Sequence, residues 1–233
     1  MNSKKNSKKK WKIGSNFCYD FVKITGGPPM LLWLRPKRIY PYGKQKIRGP
    51  VLISSNHVGY SDPFVVFCVF KLRRIHSLAS RELFSTKFAE VFFPLMKCIR
   101  VDQENFALSS VHKAVEKLRE GKTVVIFPEG TINTTQPHDN PLSFKSGVSL
   151  ISYQSGAPVL PVYIVKRDKW YHRQKIVIGR PIDVKKELGT FPSLDALNEM
   201  SEFLRQEEIK LAKYYNEVIL AKKDNKSLQE VTK

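Results

Sequence analysis

Three short apolar runs limit what this chain can fold into: Val51-Leu52-Ile53, Thr123–Phe127 and Val159–Val165. Each is dominated by aliphatic or β-branched residues and lacks polar alternation. Runs of that length and evenness read as strands buried on both faces. Helical spacing fills the gaps between them. Phe106–Glu120 places Ala107, Val111, Ala114, Val115 and Leu118 on one face, with Gly121 just past the end. Ser85–Lys97 and Leu142–Ser155 also read as helical, and Ser193 caps a long helix carrying Leu194, Leu197, Met200, Leu204, Ile209, Leu211 and Tyr214. Weaker strands are expected at Ile75–Ser80, Cys98–Val101 and Ile176–Ile178. Strands alternating with helices predict an α/β fold, a mainly parallel sheet flanked by helices.

A chain of 233 residues suits one domain with an appended segment. The net charge of +19 is concentrated: residues 1–48 hold ten lysines and three arginines against one acid, Asp20. That excess predicts an anionic partner. Residues 1–10 read as a disordered basic tail, and Trp11, Ile13, Phe17, Phe21, Val22 and Ile24 allow an amphipathic helix ending near Gly26-Gly27-Pro28-Pro29. A second apolar piece, Met30–Leu34, follows. Aromatics and lysines behind a polybasic tail suit an anchor on an anionic membrane surface. The expected organisation is therefore 1–48 basic tail and amphipathic membrane-associating segment, 49–221 main α/β domain, and 222–233 frayed polar tail. No run approaches the roughly 18 apolar residues of a membrane span, so a peripheral placement at the cytoplasmic face of the membrane is expected. Cys18, Cys68 and Cys98 lack CxxC spacing, which suggests neither a disulfide framework nor a metal site.

The first apolar run leads into Ser54-Ser55-Asn56-His57-Val58-Gly59-Tyr60-Ser61-Asp62-Pro63. Aspartate followed by proline predicts a helix start with Asp62 as the cap, and Gly59 is expected to supply backbone freedom in the loop. Two residues five apart on one regular helix would point about 140° away from each other. His57 and Asp62 can meet only if the histidine lies in the loop. One carboxylate oxygen is then expected to cap the helix while the other holds Nδ1–H, leaving Nε2 as a base. Taken alone, the pair reads more readily as a plain helix cap beside a loop histidine.

The pair has company. Phe127-Pro128-Glu129-Gly130-Thr131 closes a second buried run, and Arg81-Glu82-Leu83-Phe84, Phe144-Lys145-Ser146-Gly147 and Ala157–Val162 complete a series. Their order and spacing, from about Gly49 to Pro181, resemble the glycerophospholipid acyltransferase family, closest to 1-acylglycerol-3-phosphate O-acyltransferases. The resemblance implies acyl transfer from an acyl thioester, acyl-CoA or acyl-ACP, to the free hydroxyl of a lysophospholipid acceptor, giving phosphatidic acid with no bound cofactor. It implies His57 as general base, Asp62 as its orienting partner, and Glu129, Gly130 and Thr131 on the acceptor side.

Two positions depart from that pattern. Arginine usually follows the EGT triplet, and here Ile132 does; arginine usually follows a V/I-D pair, and Val101-Asp102 is followed by Gln103. Isoleucine cannot replace a bidentate guanidinium contact to phosphate. Arg100, Arg81 and Lys145 are the cations expected to substitute; a different lysolipid or polyol acceptor is the alternative. A basic nucleic-acid-binding protein is the rival reading from another class, but the charge is terminal and no nucleic-acid motif accompanies it.

Overall fold

The computed structural model describes residues 2–101, 108–135 and 140–221, with side chains from residue 16 onward. Among them the strands form one seven-stranded sheet in the order β1-β7-β6-β2-β5-β3-β4. These are β1 (Lys37–Ile39), β2 (Val51–Ser55), β3 (Ile75–Ser80), β4 (Cys98–Val101), β5 (Thr123–Ile126), β6 (Val159–Ile164) and β7 (Lys175–Ile178). Every pairing is parallel except β6 with β7. The expected α/β architecture is therefore the observed one.

Alternate residues of the central strands face opposite helical layers, and both layers are apolar. Leu52, Val124, Ile126 and Val159 pack with helices α4 (Leu108–Arg119), α5 (Gly147–Ser155), α6 (Val184–Leu188) and α7 (Leu194–Tyr214). Val51, Ile53, Val125, Leu160 and Val162 pack with Leu34 of α1 (Asn2–Leu34) and with α2 (Asp62–Val69). Val51, Leu52 and Ile53 are each fully buried, worth roughly 1.5–3 kcal/mol apiece. Two-sided burial is why these strands read as unbroken apolar runs.

Several boundaries differ from the sequence reading, each for a physical reason. Helix α1 is a single helix through Gly26-Gly27-Pro28-Pro29, and it includes the lysine run expected to be disordered. Lysine is a good helix former, whereas each internal proline costs about 3 kcal/mol. Anchors on both sides of the prolines offset that cost: Tyr19 OH accepts from the Ile75 amide, Asp20 pairs with Arg74, and the Leu34 carbonyl accepts from the Gln174 amide. Helix α5 starts at Gly147, not Leu142, because the preceding amides are taken elsewhere: Leu142 donates to Glu129 and Lys145 to the Pro128 carbonyl. The helix expected from Phe106 is observed from Leu108; Phe106, Ala107 and Gln103 lie outside the described residues, as does the expected tail 222–233. Strand β1 and helix α6 were not anticipated. Lys37–Ile39 carries two cations and a single apolar residue because only Ile39 is buried. The long helix begins after Ser193, whose side chain accepts from the Ala196 amide as expected, and it continues as a π turn over Tyr215–Leu220.

Candidate active site

Register delivers two loops to one place. Ser54 of β2 pairs with Ile126 of β5 on adjacent parallel strands. His57 and Glu129 each stand three residues beyond that pair, so they emerge at the same height at the carboxyl end of the sheet, where open α/β sheets bind ligands.

His57 is held on every side. Its Nδ1 lies 2.8 Å from Asp62 Oδ2, and its ring stacks on Phe127 with centroids 4.4 Å apart. Its amide donates to Glu129 Oε1 at 2.8 Å, and its carbonyl accepts from the Asn133 amide at 2.7 Å. The loop carrying Glu129 and Asn133 thus clamps the histidine peptide at both polar atoms. The bond to the carboxylate contributes about 1.5–3 kcal/mol and the amide–carbonyl bond about 0.5–1.5 kcal/mol.

Asp62 meets the histidine by a geometry that differs from the expected one. The helix cap is Ser61, without a side-chain bond, and Asp62 is the first helical residue, followed by Pro63. A single oxygen, Oδ2, accepts from His57 Nδ1, from the Val58 amide at 2.7 Å and from the Gly59 amide at 2.8 Å. The carboxylate cannot cap its own helix because the loop folds back and offers it two amides first. Gly59, expected for its freedom, does not use the left-handed region, and a Cβ there would meet nothing within 4 Å. Asp62 is 2% exposed, so a buried carboxylate with three donors fixes the imidazole. With Nδ1–H donated to it, Nε2 keeps its lone pair for a substrate proton.

Glu129 is buried and both its oxygens are engaged, Oε1 by the His57 amide and Oε2 by the Leu142 amide. Burial pushes its carboxyl above the ordinary range, against the opposing pull of those amides and of His57. Gly130 closes the turn, its amide donating to the Phe127 carbonyl, at φ 73°. A Cβ there would lie 2.7 Å from Lys145 Nζ. Glycine is thus required for the left-handed backbone, and it leaves room for the lysine to lie across the turn, where a Cβ would displace the ammonium end. Thr131 is exposed beside them. Arg81 opens the turn Arg81–Phe84 after β3, and Arg100 lies on β4 with its guanidinium 5.8 Å from the Phe84 ring centroid. They stand one and two strands beyond β5, about 5 and 10 Å across the sheet, so Lys145 is the cation brought onto the Glu129 loop.

Four supporting residues were not singled out from sequence. Asn56 bridges to β6, its amide nitrogen donating to the Ile164 carbonyl and its oxygen accepting from the Ile164 amide. Asn133 Oδ1 accepts from the amide and hydroxyl of Thr135. Beneath β2, Ser54 Oγ donates at 2.7 Å to Glu208 Oε1 on α7. Glu208 is fully buried, its second oxygen has no partner among the described residues, and burial holds its carboxyl well above the usual range. Its spacing, between Leu204 and Leu211 on the apolar face of a helix, was the available signal.

Comparison with known proteins fits this geometry. The Acyltransferase family model matches residues 38–165, more than half of the chain. A 1-acyl-sn-glycerol-3-phosphate acyltransferase of Bacillus subtilis is 30% identical over 82% of this chain and 92% of its own. One from Borreliella burgdorferi is 26% identical over 80% and 73%. The crystal structure of the 1-acyl-sn-glycerophosphate acyltransferase of Thermotoga maritima shares the fold, with a TM-score of 0.58 at 22% identity over 87% of this chain and 82% of that one. The chain is an enzyme of the Acyltransferase family.

Proposed function

We propose that the protein transfers a fatty acyl group from an acyl thioester to the free hydroxyl of 1-acylglycerol-3-phosphate, forming phosphatidic acid at the cytoplasmic face of an anionic membrane. The observation that carries this reading is the His57–Asp62 pair, its peptide clamped by the Glu129 loop. Nε2 takes the proton of the acceptor hydroxyl as its oxygen attacks the thioester carbonyl. Asp62 stabilises the imidazolium that forms. Collapse of the tetrahedral adduct breaks the C–S bond, leaves the new ester, and returns the proton to the departing thiolate. The acceptor replaces the serine of a hydrolase triad, so no acyl-enzyme is formed.

Support for a membrane-surface reaction comes from α1. Phe17, Phe21, Ile24 and Leu32 fall on one helical stripe and are 57–77% exposed. Phe88 and Val91 of the neighbouring helix α3 (Lys87–Leu95) are exposed as well. Among the described residues no helix is long and apolar enough to cross a membrane. Acyl-CoA and acyl-ACP remain the two candidate donors. Lys145, across Gly130, is the first cation the acceptor phosphate would meet, with Arg81 and Arg100 farther along the sheet edge.

Ile132 favours a second reading, the same transfer to a lysolipid or polyol without a phosphomonoester. Thiol release from each acyl donor, measured with a panel of acceptors, separates the two. Lysophosphatidate is expected to be the preferred acceptor, and Ile132→Arg to raise its turnover. Preference for a phosphate-free acceptor by the native chain would reject the first reading.

A further inference from the structure

A groove of about 490 Å³ lies between the end of α1, strand β1 and the turn into β7, and none of the residues of the His57 site lines it. Its charged residues are all cations: Arg35, Arg38, Lys44, Lys71 and Arg173. None of the five forms an ion pair among the described residues. Like charges gathered in one concavity repel, by about 1 kcal/mol per pair at 4 Å even in water. An anion seated there removes that repulsion.

The backbone that presents them is held in place. Arg35 adopts φ 42°, a left-handed conformation that costs a non-glycine residue roughly 1–2 kcal/mol. Its amide donates to the Leu31 carbonyl, its carbonyl accepts from Arg173 Nε, and its own Nη2 donates to the Tyr171 carbonyl at 2.6 Å. Strain maintained by surrounding bonds is characteristic of functional segments. Among the exposed side chains around these residues, which include Lys37, Lys46, Lys169 and one acid, Asp168, stand several apolar or aromatic ones: Leu32, Trp33, Tyr42, Trp170 and Tyr171. Arg167 lies 4.7 Å over the Trp33 ring, and Arg180 lies 4.1 Å over Tyr42. Amphipathic rings beside cations are the composition of a bilayer interface.

We propose that this groove is a phosphate site occupied by the headgroup of an anionic phospholipid, distinct from the acceptor site. The proposal rests on the membrane-surface reading above. Arg38 pairs with Ile176, and Ile176 with Ile164, the residue that holds Asn56 beside His57. Arg38, in the wall of the groove, thus sits at the level of the catalytic loop, about 14 Å away across three strand spacings. One bilayer surface can therefore address both.

The test is sedimentation of the full chain with phosphatidylcholine vesicles, with and without phosphatidylglycerol. Arg38→Gln/Lys44→Gln/Arg173→Gln is compared with Lys113→Gln/Lys185→Gln/Lys186→Gln, which removes equal charge from α4 and α6. Unchanged turnover of short-chain, detergent-dispersed substrates shows that both variants fold. The groove variant is expected to partition about a hundredfold less onto phosphatidylglycerol vesicles, and the control less than tenfold. Titration with free CoA covers the soluble phosphate source and is expected to give equal binding for the native chain and the groove variant. Equal losses for the two triple variants would overturn the site while leaving the membrane reading intact, and so would a loss confined to CoA. A native chain that ignores anionic vesicles would reject both.

Discussion

At the scale of single residues, we propose that the acid of the Glu129 loop acts by holding the His57 loop rather than by binding substrate. Its two oxygens take the His57 and Leu142 amides. Glu129→Gln turns one of those acceptors into an NH₂ group facing an amide N–H. Stability is expected to fall by about 1–3 kcal/mol, and kcat by roughly 10²-fold with KM little changed. A rise in KM alone would make Glu129 an acceptor ligand instead. His76 offers a second test. It is buried on β3 with Nδ1 unpartnered, and burial, with Lys97 and Lys117 adding to it, lowers its pKa to about 4. The folded state resists protonation that the unfolded chain accepts from about pH 6.5, so stability is lost as pH falls through that window. Denaturant unfolding at pH 7 and near pH 4 is expected to show a His76 contribution of roughly 3 kcal/mol, absent in His76→Phe. The histidine–aspartate pair itself was legible because its spacing forces a loop. The use of a single carboxylate oxygen for three donors was not, since it depends on how the loop amides turn.

At the scale of elements, the sequence reading succeeded where burial is two-sided and failed where tertiary bonds override local preference. Val51–Ser55, Thr123–Ile126 and Val159–Ile164 were legible as apolar runs. The continuity of α1 through two prolines, and the delayed start of α5, depend on partners far away in sequence. Helix α7 supplies the least anticipated link, the bond from Ser54 to Glu208 beneath β2. A carboxyl whose folded pKa is raised keeps its proton above the ordinary range near 4.5. The folded state then binds more protons than the unfolded one, so Glu208 costs stability increasingly as pH rises from there. Glu208→Gln keeps an acceptor for Ser54 and has no proton to lose. It is expected to match the native chain near pH 4.5 and exceed it in unfolding free energy at pH 7; parallel stability curves would contradict this.

At the scale of the whole molecule, the sheet order places two loops level at one edge, and α1 lays an apolar stripe along the surface nearby. The proposed reaction rests on the first feature, and the proposed membrane placement on the second. The proposed choice of acceptor turns on Ile132 and on Gln103, a position outside the described residues. The central claim is that His57 Nε2 is the base for direct transfer. Its most direct test is phosphatidic acid formation from acyl thioester and 1-acylglycerol-3-phosphate by native chain and His57→Ala, with unfolding free energies measured on both. Loss of at least 10²–10⁴ in kcat is expected, with the fold intact because the clamp on the residue 57 peptide uses only backbone atoms of that residue. Near-native turnover by His57→Ala would contradict the account.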